Sequence, residues 1–320
     1  MKWRKLNKWV VSFFAFFMFC GAYTVDANAN AEPLIPMGHS IGIQMELEGV
    51  YLSSDTMPEK DLWLRMGDRI TAINRKKITQ VEDVETSLRD AEDHKSTLTI
   101  DRQGKEISLE LTADSLRQLI PLLKNETEGT GTLTYVDPKT KTYGALGHQI
   151  IDSTFDAPPQ FKKGAIFLST IDQIKKSAPG RPGYKISTII NDQKALGSIE
   201  KNSLFGIYGD WNTKNAHETH PPIETVNPTE LRLGEAELLT TISGTKVETF
   251  TIEITEINHE NFSFVIKDEA LLKQTGGVLQ GMSGSPILQH NKFAGAVTHM
   301  FVDEPTEGAA LSIIKMRKEQ

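Results

Sequence analysis

The sequence predicts a mainly β protein in two parts, a small α+β domain followed by a larger β barrel. Residues 131–320 alternate short apolar runs with turn residues and carry little helical periodicity. Residues 32–115 run strand, strand, short helix, Gly-Asp turn, strand, amphipathic helix and hairpin. A composition of 38% hydrophobic and 24% charged residues over 320 positions is enough for two packed cores.

Ahead of the first domain, Lys2, Arg4, Lys5 and Lys8 precede an apolar run from Trp9 to Tyr23, broken only by Ser12 and Gly21. Ala27-Asn28-Ala29 follows, with Ala29-Asn30-Ala31 as a second small-residue site. This is the plan of a secretory signal. Residues 1–31 are therefore expected to be a signal peptide or an N-terminal membrane anchor, the apolar run being short of the ~20 residues of a stable span. The basic flank stays in the cytoplasm and the body is exported. Export leaves 31 basic and 41 acidic residues, a charge near −10. An acidic body gives no electrostatic footprint for nucleic acid. Cys20 is the single cysteine, which excludes a disulfide framework and every multi-cysteine metal site.

In the first domain, Ser40-Ile41-Gly42-Ile43-Gln44-Met45 and Gly49-Val50-Tyr51-Leu52 read as two short strands. Leu62-Trp63-Leu64-Arg65-Met66 leads into Gly67-Asp68-Arg69-Ile70-Thr71-Ala72-Ile73-Asn74, where Gly67 supplies a turn and apolar alternation resumes. Val81, Val84 and Leu88 stand at helical spacing within residues 81–93. Thr97 to Ile100 and Glu106 to Leu111 bracket Arg102-Gln103-Gly104-Lys105, a hairpin signal. With Gly67-Asp68 followed by Ile70, Ile73 and Asn74, this order resembles a PDZ domain. Leu62-Trp63 departs from the Ala-Gly that many such domains carry before that turn. The resemblance implies that Ser40, Ile41, Gly42 and Ile43 are the carboxylate-binding loop and the strand that receives an extended peptide. A spacer of the same shape with no ligand is the competing reading.

Residues 116–130 read as a linker with a short helix, and 131–320 as the barrel domain. Gly131 to Val136, Ala165 to Leu168, Lys185 to Ile190, Gly234 to Thr241, Glu248 to Ile257 and Phe262 to Ile266 are strand-like. Asp137-Pro138, Pro179-Gly180, Gly183 and Asn191-Asp192 punctuate them. The chain contains no internal repeat, P-loop or dinucleotide fingerprint.

The chemistry concentrates in Thr275-Gly276-Gly277-Val278-Leu279-Gln280-Gly281-Met282-Ser283-Gly284-Ser285-Pro286-Ile287. Gly281 and Gly284 let the backbone turn tightly, so that the Ser283 hydroxyl projects and its N–H joins that of Gly281 in facing a substrate carbonyl. A Gly/Ser-rich turn between strands is the alternative. A serine also needs a base, and the body offers His39, His94, His148, His217, His220, His259, His290 and His299. His148 stands out in Gly144-Ala145-Leu146-Gly147-His148-Gln149-Ile150, and it precedes the serine as in barrel peptidases. His217 and His220 have a spacing that could suit a metal, but no third ligand is evident and a solvated loop accounts for them. His299 follows the strand after the serine, where it could line the substrate pocket, with a structural role ahead of a catalytic one. Among carboxylates, composition and spacing leave Asp192, Asp210 and Asp268 level.

Together, the Gly-Ala-Leu-Gly-His segment, the Gly-Gly-Val-Leu-Gln-Gly-Met-Ser-Gly-Ser-Pro segment and Ala296-Val297-Thr298-His299 resemble the stage IV sporulation protein B peptidases, from about Ile35 to Pro305. The resemblance implies a PDZ domain ahead of a chymotrypsin-like barrel. It gives Ser283 as nucleophile, His148 as general base and Asp268, fifteen residues before the serine, as orienting acid. It implies acyl transfer with no metal or organic cofactor, on a protein substrate in the space between forespore and mother cell. That substrate would be the extracytoplasmic part of a membrane protein, and self-cleavage near the N-terminus is implied as well. After Thr306-Glu307-Gly308 the chain departs from the family's aromatic last strand with Ala309-Ala310-Leu311-Ser312. Two other classes compete: a non-proteolytic docking module built from the same two parts, and an esterase or peptidoglycan hydrolase.

Overall fold

The computed structural model describes residues 32–89, 95–190, 194–212 and 220–320. The expected signal or anchor segment, His94, Asp192 and His217 lie outside the described residues. In chain order the main elements are β1 (Ser40–Leu52), β2 (Arg69–Ile73), α1 (Val81–Arg89), β3 (Ser96–Arg102), β4 (Lys105–Leu111), α2 (Ala113–Leu119), β5 (Leu123–Asp137), β6 (Thr142–Ala145), β7 (Phe161–Lys175), β8 (Gly183–Ile189) and β9 (Gly206–Asp210). There follow β10 (Gly234–Thr241), β11 (Val247–Asn258), β12 (Asn261–Ile266), α3 (Glu269–Thr275), β13 (Leu279–Gln280), β14 (Pro286–Gln289), β15 (Lys292–Met300), β16 (Glu307–Ser312) and α4 (Ile313–Lys318). The mainly β expectation is met.

Alternation builds β1. Ile41, Ile43, Met45 and Leu47 are all buried, and they point to one face of a single thirteen-residue strand. Both edges of its first half are occupied. Ser40–Glu46 pairs with Glu126–Thr132 of β5 on one side, and Ile41–Leu47 pairs with Phe161–Leu168 of β7 on the other. The sequence placed Ser40, Ile41, Gly42 and Ile43 in the peptide-receiving site of the first domain, and the structure corrects this. They form a central strand of the larger domain, and an edge already paired cannot take up another strand. Ser40 is buried and accepts a hydrogen bond from Ser169 Oγ at 2.9 Å.

The domain boundary moves accordingly. Ile35 and Pro36 pair with Val136 and Tyr135 of β5, so the chain enters through the larger domain. Only the far end of β1 joins the smaller one, where Val50 and Tyr51 pair with Ile70 and Arg69 of β2. The small domain is thus an insertion between β1 and β5, and the residues expected to form a linker continue into β5. Its sheet runs β2, β3, β4, with α1 and α2 closing a core of Val50, Leu64, Ile70, Leu88, Leu98 and Leu116. The hairpin expected at Arg102–Lys105 is present, with Gln103 and Gly104 at φ 53° and 81°. The short helix expected ahead of Gly67-Asp68 is instead a strand, Leu62–Leu64, paired with Thr56–Glu59, and Gly67, at φ 84°, makes the turn that delivers Asp68 into the interior. There Asp68 receives two hydrogen bonds from Arg102, at 2.7 and 2.6 Å.

Two β barrels make up the rest. In the first, β9, β6, β5, β1 and β7 are neighbours in that order. Gly197–Ser198 pairs with β7, and a bridge from Gly197 to Trp211 brings the ends together around Ile41, Leu133, Tyr143, Ile166 and Ile207. In the second, β10, β11, β12, β16, β15 and β14 close completely around Leu238, Ile252, Phe264, Met282 and Ile287. Closure removes every edge from that sheet. Despite its unexpected sequence, β16 pairs with both β12 and β15. Tyr135, Tyr208, Leu239, Phe293, Ile313 and Met316 pack into a third apolar layer.

Candidate active site

The serine segment lies between β13 and β14, and the histidine segment just after β6. Backbone hydrogen bonds tie them together. Thr132 of β5 donates its N–H to the Ser283 carbonyl at 3.0 Å, and its own carbonyl accepts from the Leu146 N–H at 3.2 Å. The contact is close enough to dictate residue type. A Cβ on Gly284, whose φ is 92°, would stand 2.2 Å from Thr132 O and 2.5 Å from Leu146 N. Only glycine fits there. Leu146 and Gly147 both have positive φ, and this double turn seats Gly147 against Val297 and Thr298 of β15. His148 therefore emerges beside the strand that follows the serine.

Ser283 Oγ donates to the Thr298 carbonyl at 3.1 Å. Among the described residues no protein acceptor takes the Ser283 N–H, whereas those of Met282, Gly284 and Ser285 go to Leu279, Val297 and Met282 carbonyls. That free donor is what an oxyanion site requires. Gly281 turns with φ 93°.

The Nδ1 atom of His148 lies 2.9 Å from the Gln149 carbonyl. A carbonyl only accepts, so Nδ1 carries the proton and Nε2 keeps the lone pair. The His148 and His299 rings lie 5.6 Å apart. Burial holds the His148 pKa below its ordinary value; the Gln149 carbonyl opposes this, and the neighbouring His299 adds to it. A cleft of about 630 Å³ opens beside the two rings, walled by Ile43, Leu146, Ile150, Ile151 and Leu204.

Asp268 is placed elsewhere. It is the N-cap of α3, where Oδ1 accepts from the Leu271 N–H at 2.8 Å. It makes no hydrogen bond to His148, whose Nδ1 is taken by Gln149. A short acid ahead of an apolar helical turn caps that helix first, because the orphan N–H groups are local partners. Asp210 ends β9 and is exposed. The sequence reading missed Gln149, because a backbone carbonyl leaves no side-chain signal. His299, expected where it could line the substrate pocket, faces the His148 ring and lines the cleft. Among the described residues no group of three or more His, Cys, Asp or Glu could hold a metal ion.

A glycine-framed serine bonded to Thr298 of β15 and a histidine whose ring lies beside that of His299 on the same strand define a serine peptidase, a hydrolase acting on peptide bonds. Residues 118–317 match the SpoIVB peptidase S55 family, and the chain belongs to that family. Shorter likenesses exist. A putative zinc metalloprotease of Staphylococcus aureus (strain N315), SA1105, is 32% identical over 75 residues, which are 23% of this chain and 18% of that protein. Its counterpart in strain MRSA252 is 31% identical over 75 residues. The chain thus matches under a fifth of the length of these relatives. Among solved structures, the inactive form of the Rv3671c protease superposes with a TM-score of 0.35 at 11% identity, covering 59% of this chain and 81% of that one. The active form of the same protease from M. tuberculosis gives 0.34 at 12%, covering 60% and 72%.

Proposed function

We propose that this protein is an extracytoplasmic serine endopeptidase in which Ser283 is the nucleophile and His148 the general base. The reading rests above all on the His148 tautomer: Nδ1–H held by the Gln149 carbonyl leaves Nε2 free to take the serine proton. Rotation of the Ser283 side chain away from Thr298 O frees the hydroxyl to attack a peptide carbonyl. His148 takes the proton, the Ser283 and Gly281 N–H groups receive the oxyanion, and the imidazolium returns the proton to the leaving amine. Water then attacks the acyl-enzyme by the same route in reverse. The Gln149 carbonyl steadies the imidazolium, the part that the family resemblance gives to Asp268.

The substrate is a protein, in keeping with the family. Finer still, we assign it as the exported part of a membrane protein processed during sporulation, with the N-terminal segment directing export and the inserted domain serving as a PDZ-like module. Incubation of the purified protein with candidate extracytoplasmic membrane proteins, followed by N-terminal sequencing of products, tests this. Ser283→Ala should abolish cleavage and fluorophosphonate labelling, whereas Ser285→Ala should keep measurable turnover. Full activity in Ser283→Ala would refute the assignment. Absence of labelling in the wild type would favour the docking module instead.

A further inference from the structure

One ionisable group in the interior has no part in the chemistry described so far. Lys185, on β8, is only 6% exposed. Its Nζ donates to Thr240 Oγ1 of β10 at 3.0 Å, so the side chain reaches from the first sheet into the second barrel. From there polar contacts run on to the catalytic turn. Ser285 Oγ donates to Thr240 Oγ1 at 2.9 Å and stands 3.4 Å from Thr132 Oγ1. Thr132 Oγ1 in turn donates to the Gly281 carbonyl at 2.8 Å, while the Thr132 N–H holds the Ser283 carbonyl at 3.0 Å. The Met282–Ser283 peptide, whose N–H faces the oxyanion, is thereby fixed between two anchored carbonyls. The Lys185 methylenes also back Gly281: a Cβ there would lie 3.3 Å from Lys185 Cδ.

We propose that Lys185 is a positioning residue for catalysis, its buried ammonium holding the Gly281–Ser285 turn through Thr240, Ser285 and Thr132 and placing positive charge behind the oxyanion site. The proposal rests on the reading of Ser283 as nucleophile. Burying an ammonium with no carboxylate beside it costs stability, so packing gives no reason for a lysine here. Burial alone lowers its pKa to about 7. Among the described residues no charged neighbour acts on it. Tyr184 and Thr188 lie on the opposite, exposed face of β8, with Lys175 of β7 over the Tyr184 ring and Asp172 of β7 bonded to Thr188. The groups that face it from β10 and the turn, Thr240 and Gly281, do not titrate.

The experiment compares wild type, Lys185→Met, Lys185→Gln, Thr240→Val, the double variant Lys185→Met/Thr240→Val and Ser283→Ala in the full chain. Turnover of a peptide substrate, fluorophosphonate labelling rate and melting temperature are measured from pH 5.5 to 9. Lys185→Met should melt at or above the wild-type temperature, lose at least about tenfold in kcat and keep KM within about twofold. Lys185→Gln and Thr240→Val should fall in the same direction, and Lys185→Met/Thr240→Val no further than Lys185→Met alone, because both cut one chain of contacts. Wild-type kcat should decline as pH rises through about 7, and that limb should be missing in Lys185→Met. Unchanged kcat in Lys185→Met, a loss that only tracks a lower melting temperature, or a descending limb that persists would each overturn the proposal. Labelling of Ser283→Ala would instead overturn the nucleophile, a separate result.

Discussion

His148 carries the pH behaviour at the scale of single residues. Burial is the main reason its pKa lies below 6.5, and the like charge of His299 pushes the same way. The base therefore stays neutral to lower pH than an ordinary histidine, and kcat/KM should hold its plateau further into acid. His299→Ala removes the like charge, raises the base's pKa and should move the ascending limb to higher pH; a limb that stays put or moves down contradicts the ring contact. Stability follows the same sign. A group depressed on folding binds more protons in the unfolded chain, so folding strengthens as pH rises between its two pKa values. For Lys185 that window runs from about 7 to 10.5. Melting temperature should climb between pH 7 and 9 in the wild type and climb less in Lys185→Met, as scanning calorimetry at both pH values would show. These residues were legible to different degrees. Ser283 and His148 announce themselves because glycines must flank them, whereas Lys185 meets Thr240 only through the fold.

Among the elements, α3 and the Gly67-Asp68 turn can be tested separately. Asp268 caps α3, and Gly276 ends it with φ 70°, delivering the chain directly into the serine segment. Asp268→Ala should cost about 1 kcal/mol, while Asp268→Asn, an equally good cap, should melt with the wild type. Turnover of Asp268→Asn also decides the acid's role. A fall of order 10⁴ at unchanged stability would place its carboxylate on the imidazole during catalysis. In the insertion, Asp68 is 1% exposed under a two-pronged Arg102. Asp68→Ala takes the acceptor from a partly exposed Arg102 guanidinium and should destabilise the insertion by roughly 1–3 kcal/mol. Hydrogen exchange should then rise in β2, β3 and β4 before it rises in the second barrel. The apolar alternation of Ile41, Ile43 and Met45 was readable as a strand with one buried face. Periodicity does not say what covers that face, nor which strands take its edges, and so β1 was assigned to the wrong domain.

On the whole-molecule scale, the insertion occupies the tip of a long hairpin. Leu52 pairs with Leu123, and the Ser53 N–H bonds to the Leu122 carbonyl at 2.8 Å, so the two ends of the insertion are already side by side. Replacing residues 54–121 by a two-residue turn should leave a cooperatively folding pair of barrels, with turnover of a small ester within about tenfold of wild type. Failure to fold would show that the insertion holds the first barrel together. The continuity of β1 bears on communication. Ile43 stands in the cleft wall, and Val50, seven residues along the same strand, is paired into the insertion. Between them β1 bulges, advancing five residues from Glu46 to Tyr51 while β5 advances two, from Glu126 to Lys124. The insertion is not a bead on a string, and linker length and effective concentration do not describe its influence. Its orientation on the first barrel is set by the pairings on either side of one strand, Glu46 with Glu126 and Tyr51 with Lys124.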